Sequence, residues 1–391
     1  MTAADLSKRD RVASLAAIYA CISANGLGMG LSLPLLSLIL EREGVSATLN
    51  GANAMVGAAA MMVVTPFIPA LASRFGTLKV LAASYVIASL SLVLFPATTS
   101  LALWFPLRFV LNSALQCLFV VSEVWINSVA PDGMRGRLIA IYTSVFAIGF
   151  GLGPVMIQML GTAGWAPFAG GALTMLSALV PLLLVPARLV PRVEHADASA
   201  MFGFVFASPT AAAAALCYGA VESCAAAFIA VYTVRRGTSE ASATLLLSAW
   251  ALGNIVLVPA LGWLSDRRDR RRVLMGCALA SSAAALCMPL FHGVGASALA
   301  VTFLWGGFVS ALYALGLTHL GQRFTGHELA SANSAFAILY AAGVMAGPAL
   351  GGFAMDAWNP HGLIIVLALI PAVFAALAGW RAATFPRRGN S

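Results

Sequence analysis

Apolar residues run along this chain in long blocks, separated by short clusters of polar and basic residues. Blocks of this length suit helices of about 20 residues that cross a bilayer. Twelve are predicted, over 12–40, 47–72, 79–97, 101–129, 137–161, 166–186, 208–234, 242–264, 273–292, 296–320, 329–355 and 361–381. One substantial polar stretch interrupts the series, 187–207, with Arg188, Arg192, Glu194, His195 and Asp197. The expected organisation is therefore a six-helix bundle over 1–186, a central loop over 187–207 and a second six-helix bundle over 208–391.

Two features repeat across the halves. The turn GWLSDRRDRRRVL, Gly262 to Leu274, has a weaker echo in PALASRFGTLKVL, Pro69 to Leu81, which sets Ser73 against Asp266 and Arg74 against Arg267. Gly149, Gly153 and Pro154 match Gly343, Gly347 and Pro348 at nearly the same offset, about half the chain. Features repeating at one spacing indicate a duplicated architecture. GFGLGP and GVMAGPALGG both read as small-residue seams that end in a helix breaker, suited to close packing and a bend.

Composition narrows the class. The chain has 391 residues, 61% hydrophobic and 9% charged, whereas soluble domains carry about 25% charged residues. The bilayer has to be the solvent. A net charge of +8 does not point to nucleic acid, because the basic residues sit in short loops where membrane orientation requires them. With the N-terminus inside, eighteen of the basic residues fall on the cytoplasmic side and only Arg42, Arg235 and Arg236 on the outer side, Arg108 being within a span. Both termini and the central loop are expected in the cytoplasm, in the inner membrane of a cell. The six cysteines fall inside apolar segments with no CxxC pair, so neither a disulfide framework nor a zinc site is indicated. Lys8–Arg9–Asp10–Arg11 precedes an apolar run too long for a signal peptide, which reads as a retained first span. No phosphate-binding motif occurs, no metal or other cofactor is expected, and a monomer is expected.

Charges at membrane depth are costly and mark function by default. Three qualify: Arg108, Glu123 and Glu222. Arg108, Asn112 and Gln116 share one helical stripe at i, i+4, i+8. Arg108 either snorkels to the outer surface or pairs with helix-end carbonyls, or it faces the cavity, where it would bind an anionic group of the substrate or hold a glutamate. Glu123 lies about 22 Å further along the same helix, too far to pair with Arg108, and is expected to form a cytoplasmic gate with Arg74; a proton site is the alternative. Glu222 sits mid-span with Tyr218 one turn before it and no cation in its own span. It is the expected proton-coupling residue; a neutral acid hydrogen-bonded between helices is the alternative. None of the five histidines has a ligand partner at i+3 or i+4.

These motifs resemble the major facilitator superfamily. The resemblance rests on twelve spans, a central loop, the Asp–Arg turn after spans two and eight (Gly262, Asp266, Arg267, Arg270 and Arg271, with Asp269 in place of a glycine), the arginine of span four and the Gly–Pro motifs of spans five and eleven. VVSEVWINS, RGRLIAIY and GHELASANSAFAILYAAGVMAGP are similar to the YcaD-like branch of efflux-like transporters. The resemblance implies an all-α integral membrane fold of two six-helix bundles related by pseudo-twofold symmetry, rocking around a site lined by spans one, four, seven and ten. The candidate substrate-binding set is Asn25, Arg108, Asn112, Gln116, Tyr218, Glu222, Asn254, Trp305 and Tyr313. Glu222 and Glu123 are the candidates for proton coupling. Gating is expected of Arg74, Glu123, Asp266, Arg267, Arg271, Gly149, Gly153, Pro154, Gly343, Gly347 and Pro348. Trp125, Trp250 and the tyrosines suggest an apolar or aromatic small-molecule substrate. Proton-linked efflux is the expected activity; import or uniport of a small nutrient and a non-transporting sensor are the alternatives, and no converging nucleophile, base or metal group suggests an enzyme.

Overall fold

In hydrocarbon, a chain has to close its backbone hydrogen bonds within itself, and for a run of about 20 apolar residues the helix does so. The computed structural model of the protein describes residues 8–131, 134–186, 189–190, 209–321 and 326–384. Among them, twelve helices are long and apolar enough to cross a membrane, and no strand occurs. They are α1 (Lys8–Arg42), α2 (Ala47–Val64, continued through a 3-10 turn Thr65–Phe67 into Ile68–Phe75), α3 (Thr77–Ala97), α4 (Leu101–Val129), α5 (Arg135–Leu160), α6 (Ala166–Ser177 with Leu179–Leu184), α7 (Pro209–Arg235), α8 (Glu240–Arg267), α9 (Arg270–Cys287), α10 (Ala296–Gly321), α11 (Gly326–Ala357) and α12 (Gly362–Thr384). The predicted central loop, 187–207, lies outside the described residues apart from 189 and 190.

The chain forms two compact units. The first comprises Met1–Ile39 and Val56–Ala196, the second Leu40–Met55 and Asp197–Ser391. The second unit thus includes the end of α1, the start of α2 and the turn between them, a segment that the sequence assigned to the first bundle.

In the first unit, α1 and α5 meet along a glycine seam. A Cβ on Gly26 or Gly30 would fall on the backbone of Phe146 or Phe150, and one on Gly149 or Gly153 on the backbone of Ser23 or Gly30. The second unit repeats the device. Gly219 of α7 faces the Tyr340 carbonyl, while Gly343 and Gly347 of α11 face the carbonyls of Leu216 and Ala220. Small residues let two helix backbones touch, which is how membrane helices gain packing energy without a hydrophobic driving force. Pro154 and Pro348 lie inside helices that continue past them.

The residues expected on the outer side gather at one end of the second unit. Arg235 makes two hydrogen bonds to the Glu41 carboxylate, at 2.7 and 2.8 Å, and one to Asn359 at 2.9 Å. Asp356 accepts from the backbone N–H groups of Ala47 and Thr48 at 3.0 and 2.7 Å, placing a carboxylate at the N-terminus of α2, where the helix dipole favours it. Arg236 donates to the carbonyls of Met288, Pro289 and Phe291, a cation at the C-terminal end of α9.

Candidate functional site

The charged stripe of the first unit lies on α4 against α2. Arg108 is 2% exposed, so it does not snorkel. Its Nε has no hydrogen-bond partner, and among the described residues no ion pair reaches its guanidinium. Asn112 is buried, and its amide donates to the Arg108 carbonyl one turn back at 3.0 Å. Gln116 donates to the Thr65 hydroxyl at 3.0 Å. Thr65 opens the 3-10 turn of α2, where Pro66 supplies no N–H to an α-helical ladder; the break turns a hydroxyl toward α4. Gly57 of α2 faces the upper part of the stripe. A Cβ there would come within 2.8 Å of the Asn112 amide and 3.2 Å of the Arg108 Nε. Of the three expected binding groups, two are thus paired within the protein and one is not. Asn25 on α1 is fully buried with neither amide atom paired.

In the second unit, α7, the most deeply packed of the twelve helices, carries Glu222. Tyr218 donates to one carboxylate oxygen at 2.6 Å, as one helical turn of spacing allows. Tyr340 of α11 donates to the other at 2.8 Å. Tyr313 of α10 completes the group, with ring centroids 5.3 Å from Tyr218 and 5.4 Å from Tyr340; the rings of Tyr218 and Tyr340 stack at 5.7 Å. Two phenols, from α7 and α11, therefore hold one acid, a third from α10 packs on their rings, and no ion pair reaches the acid among the described residues. Tyr340 was not among the sequence candidates. Its signal was the glycine seam, since Gly219 sits against the Tyr340 carbonyl one residue from Tyr218.

The remaining candidates are less concentrated. Trp305 is fully buried, stacks on Trp250 at 5.6 Å and donates to Ser281 of α9 at 3.1 Å; this is packing between α8, α9 and α10. Trp125 is likewise fully buried and donates to the Leu189 carbonyl. Asn254 is half-buried on α8.

The loop motifs close on themselves. Asp266 pairs with Arg270 one turn on, and Arg267 lies over the Trp263 ring at 4.0 Å, a cation–π contact. In the first copy Arg74 lies over the Phe75 ring at 5.4 Å and Glu123 is exposed; no ion pair joins them in this structure. The Nε of Arg271 has no partner. Asp269 caps α9, accepting from the N–H groups of Arg271 and Arg272 at 2.8 and 3.2 Å, which gives the departure from the family's glycine a structural purpose.

Twelve spanning helices, a repeated glycine seam and polar groups buried within both units define a polytopic membrane transporter. The family model of the Major Facilitator Superfamily matches residues 18–235 and 211–391, and the chain belongs to that family. It is 28% identical over 370 residues to the MFS-type transporter YfkF of Bacillus subtilis, covering 91% of this chain and 92% of that one. It is 23% identical over 273 residues to the MFS-type transporter YcaD of Escherichia coli, covering 69% and 70%, in keeping with the resemblance carried by the motifs. Among solved structures, the nucleoside transporter NupG superposes with a TM-score of 0.75 at 13% identity, over 97% of this chain and 100% of that one. A bacterial homologue of the human lysosomal transporter Spinster superposes with a TM-score of 0.74 at 16% identity, over 97% and 98%. At such identities these two likenesses speak for the fold alone.

Proposed function

We propose that the protein is a monomeric secondary transporter of the inner membrane that exports a small organic molecule by alternating access, in exchange for protons. The observation that supports this most directly is Glu222. Every other described acid of the second unit lies at or beside a helix end, whereas this one is held mid-helix between α7 and α11 by two phenols. A carboxyl in such a place changes its proton affinity when its surroundings change between the states of a cycle, which is what coupling needs. The tyrosines, together with Arg108, Asn112 and Gln116 of the first unit, are assigned to substrate recognition. The glycine–proline seams and the two basic loops are assigned to the conformational change. The same inter-helix hydrogen bonds would suit a neutral, purely structural acid, and transport assays separate the two.

The test is solute movement in proteoliposomes under an imposed pH gradient. Aromatic and apolar small molecules are expected to move against their own gradient only when protons flow the other way. Movement that ignores the pH gradient would leave a uniporter.

The orientation carries its own expectation. The bias of basic residues places both termini in the cytoplasm. Cysteines introduced near Glu43 and Arg236 should react with an impermeant reagent added outside whole cells, and one near Arg192 should not. Labelling at 192 from outside would reverse the topology.

A further inference from the structure

Among the described residues of the first unit, Arg108 is the one buried charge to which the fold supplies no counter-charge. The unit's other described acids are Asp10, at the start of α1, and Glu123, about 22 Å along α4. The neighbours on its stripe are satisfied, Asn112 by a backbone carbonyl and Gln116 by Thr65, so on this stripe the guanidinium is the group left open. A cation taken out of water without a partner is among the most costly groups a fold can hold. The site also looks built. Gly57 withholds its Cβ where alanine would press on the Arg108 Nε and the Asn112 amide.

We propose that Arg108 is the recognition site for an organic anion bearing one carboxylate, and that this anion completes the charge the fold leaves open. The proposal rests on the transport reading above and names its substrate class. The guanidinium presents a planar fork that matches a carboxylate or phosphate in two parallel hydrogen bonds. Charge matching decides between them. No second cation lies mid-span among the described residues of this unit, so a monoanion neutralises the site, whereas a phosphate monoester dianion would leave a buried negative charge behind. The body of the ligand is apolar, as the surrounding helices are.

The test follows thermal unfolding of the purified full chain in detergent. The probes are benzoate, its neutral counterpart benzamide, inorganic phosphate and phosphatidylglycerol. Benzoate is expected to raise Tm in a concentration-dependent way, with benzamide and phosphate doing so weakly or not at all. Arg108→Met should weaken the apparent benzoate affinity by about 100-fold, the usual scale for removing one partner of a buried charge pair. The same variant should unfold at a higher temperature than wild type without ligand, because the unpaired charge is gone. Gly57→Ala keeps the charge and displaces it, and should weaken benzoate binding as well.

Equal responses to benzoate and benzamide would overturn the proposal, and so would a benzoate response that survives Arg108→Met. A ligand-free Arg108→Met protein less stable than wild type would show that the guanidinium is paired after all. An Arg108-dependent shift produced only by phosphatidylglycerol would make it a lipid site. The transport reading fails separately. A protein that binds benzoate through Arg108 but moves no solute under any gradient keeps the anion site and loses the transporter. One that moves neutral and cationic solutes as readily as anions keeps the transporter and loses the anion site.

Discussion

Replacing Gly153 by valine is expected to remove the folded protein from the membrane. A Cβ on Gly153 falls on the backbone of Gly30 and Leu31, not on the flexible end of a side chain. Rotamer changes cannot relieve such a contact; α5 has to move away from α1, and the whole seam opens with it. Overpacking ordinarily costs 1–3 kcal/mol. Because backbone meets backbone here, the cost should exceed about 3 kcal/mol, a large share of the stability of any domain. Gly347→Val should do the same in the second unit, where the obstacle is the Ala220 carbonyl. Gly276 of α9 is the control. Nothing lies within 4 Å of a Cβ there, and alanine in a helix interior is favoured over glycine by roughly 0.5–1 kcal/mol. Expression of fluorescent fusions, followed by size-exclusion chromatography and thermal unfolding, measures all three. A Gly153→Val protein that elutes and melts like wild type would show that the seam tolerates separation.

The seams illustrate what a sequence of this kind reveals. A glycine four residues from another and followed by proline is visible as a pattern, and so is each apolar run, because both requirements are local to one helix. Which helix each seam meets is not legible in the pattern, since α5 meets α1 and α11 meets α7. What is hidden is the direction in which each helix faces. In a soluble protein an apolar stripe marks the buried side. Here lipid and protein interior are equally apolar, and spans such as α7 and α10 have almost no amphipathic asymmetry. Trp305 shows the consequence. An indole in α10 reads alike whether it lines a cavity or the core, and its hydrogen bond to Ser281 on α9 leaves no mark in the sequence. The stripe of α4 was legible for the same reason that the seams were, through i, i+4 spacing. That Gln116 would meet Thr65 was not, because the partner depends on how α2 breaks at its 3-10 turn. Asp266 was expected to serve gating, and the structure gives its carboxylate a partner in Arg270, one turn away, at little entropic cost. Tyr340, contributed from 118 residues away, had no signal beyond the glycine seam that sets α11 against α7.

That tyrosine makes the last experiment a sharp one. Glu222→Gln is expected to abolish accumulation driven by a pH gradient while leaving solute exchange at equal pH intact. The amide has nearly the shape of the acid. Its oxygen still accepts from one phenol, and its nitrogen donates to the other once that hydroxyl turns, so α7, α10 and α11 should stay packed. What the amide cannot do is take up and release a proton at this pH. A transporter coupled through this residue would then equilibrate its substrate without concentrating it. Tyr340→Phe provides the graded comparison. It keeps the ring stack with Tyr218 and removes one of the two donors to the carboxylate, so it should weaken coupling without abolishing it. Truncation by Glu222→Ala is a poorer test, because it leaves two buried phenols without their acceptor, a loss that destabilises on its own account. The measurement is proton-driven uptake and counterflow in the same proteoliposomes, with thermal unfolding of each variant alongside. If Glu222→Gln melts like wild type and still concentrates solute against its gradient, the coupling proton is not carried at Glu222. Glu123, exposed on α4, is then the next acid to replace.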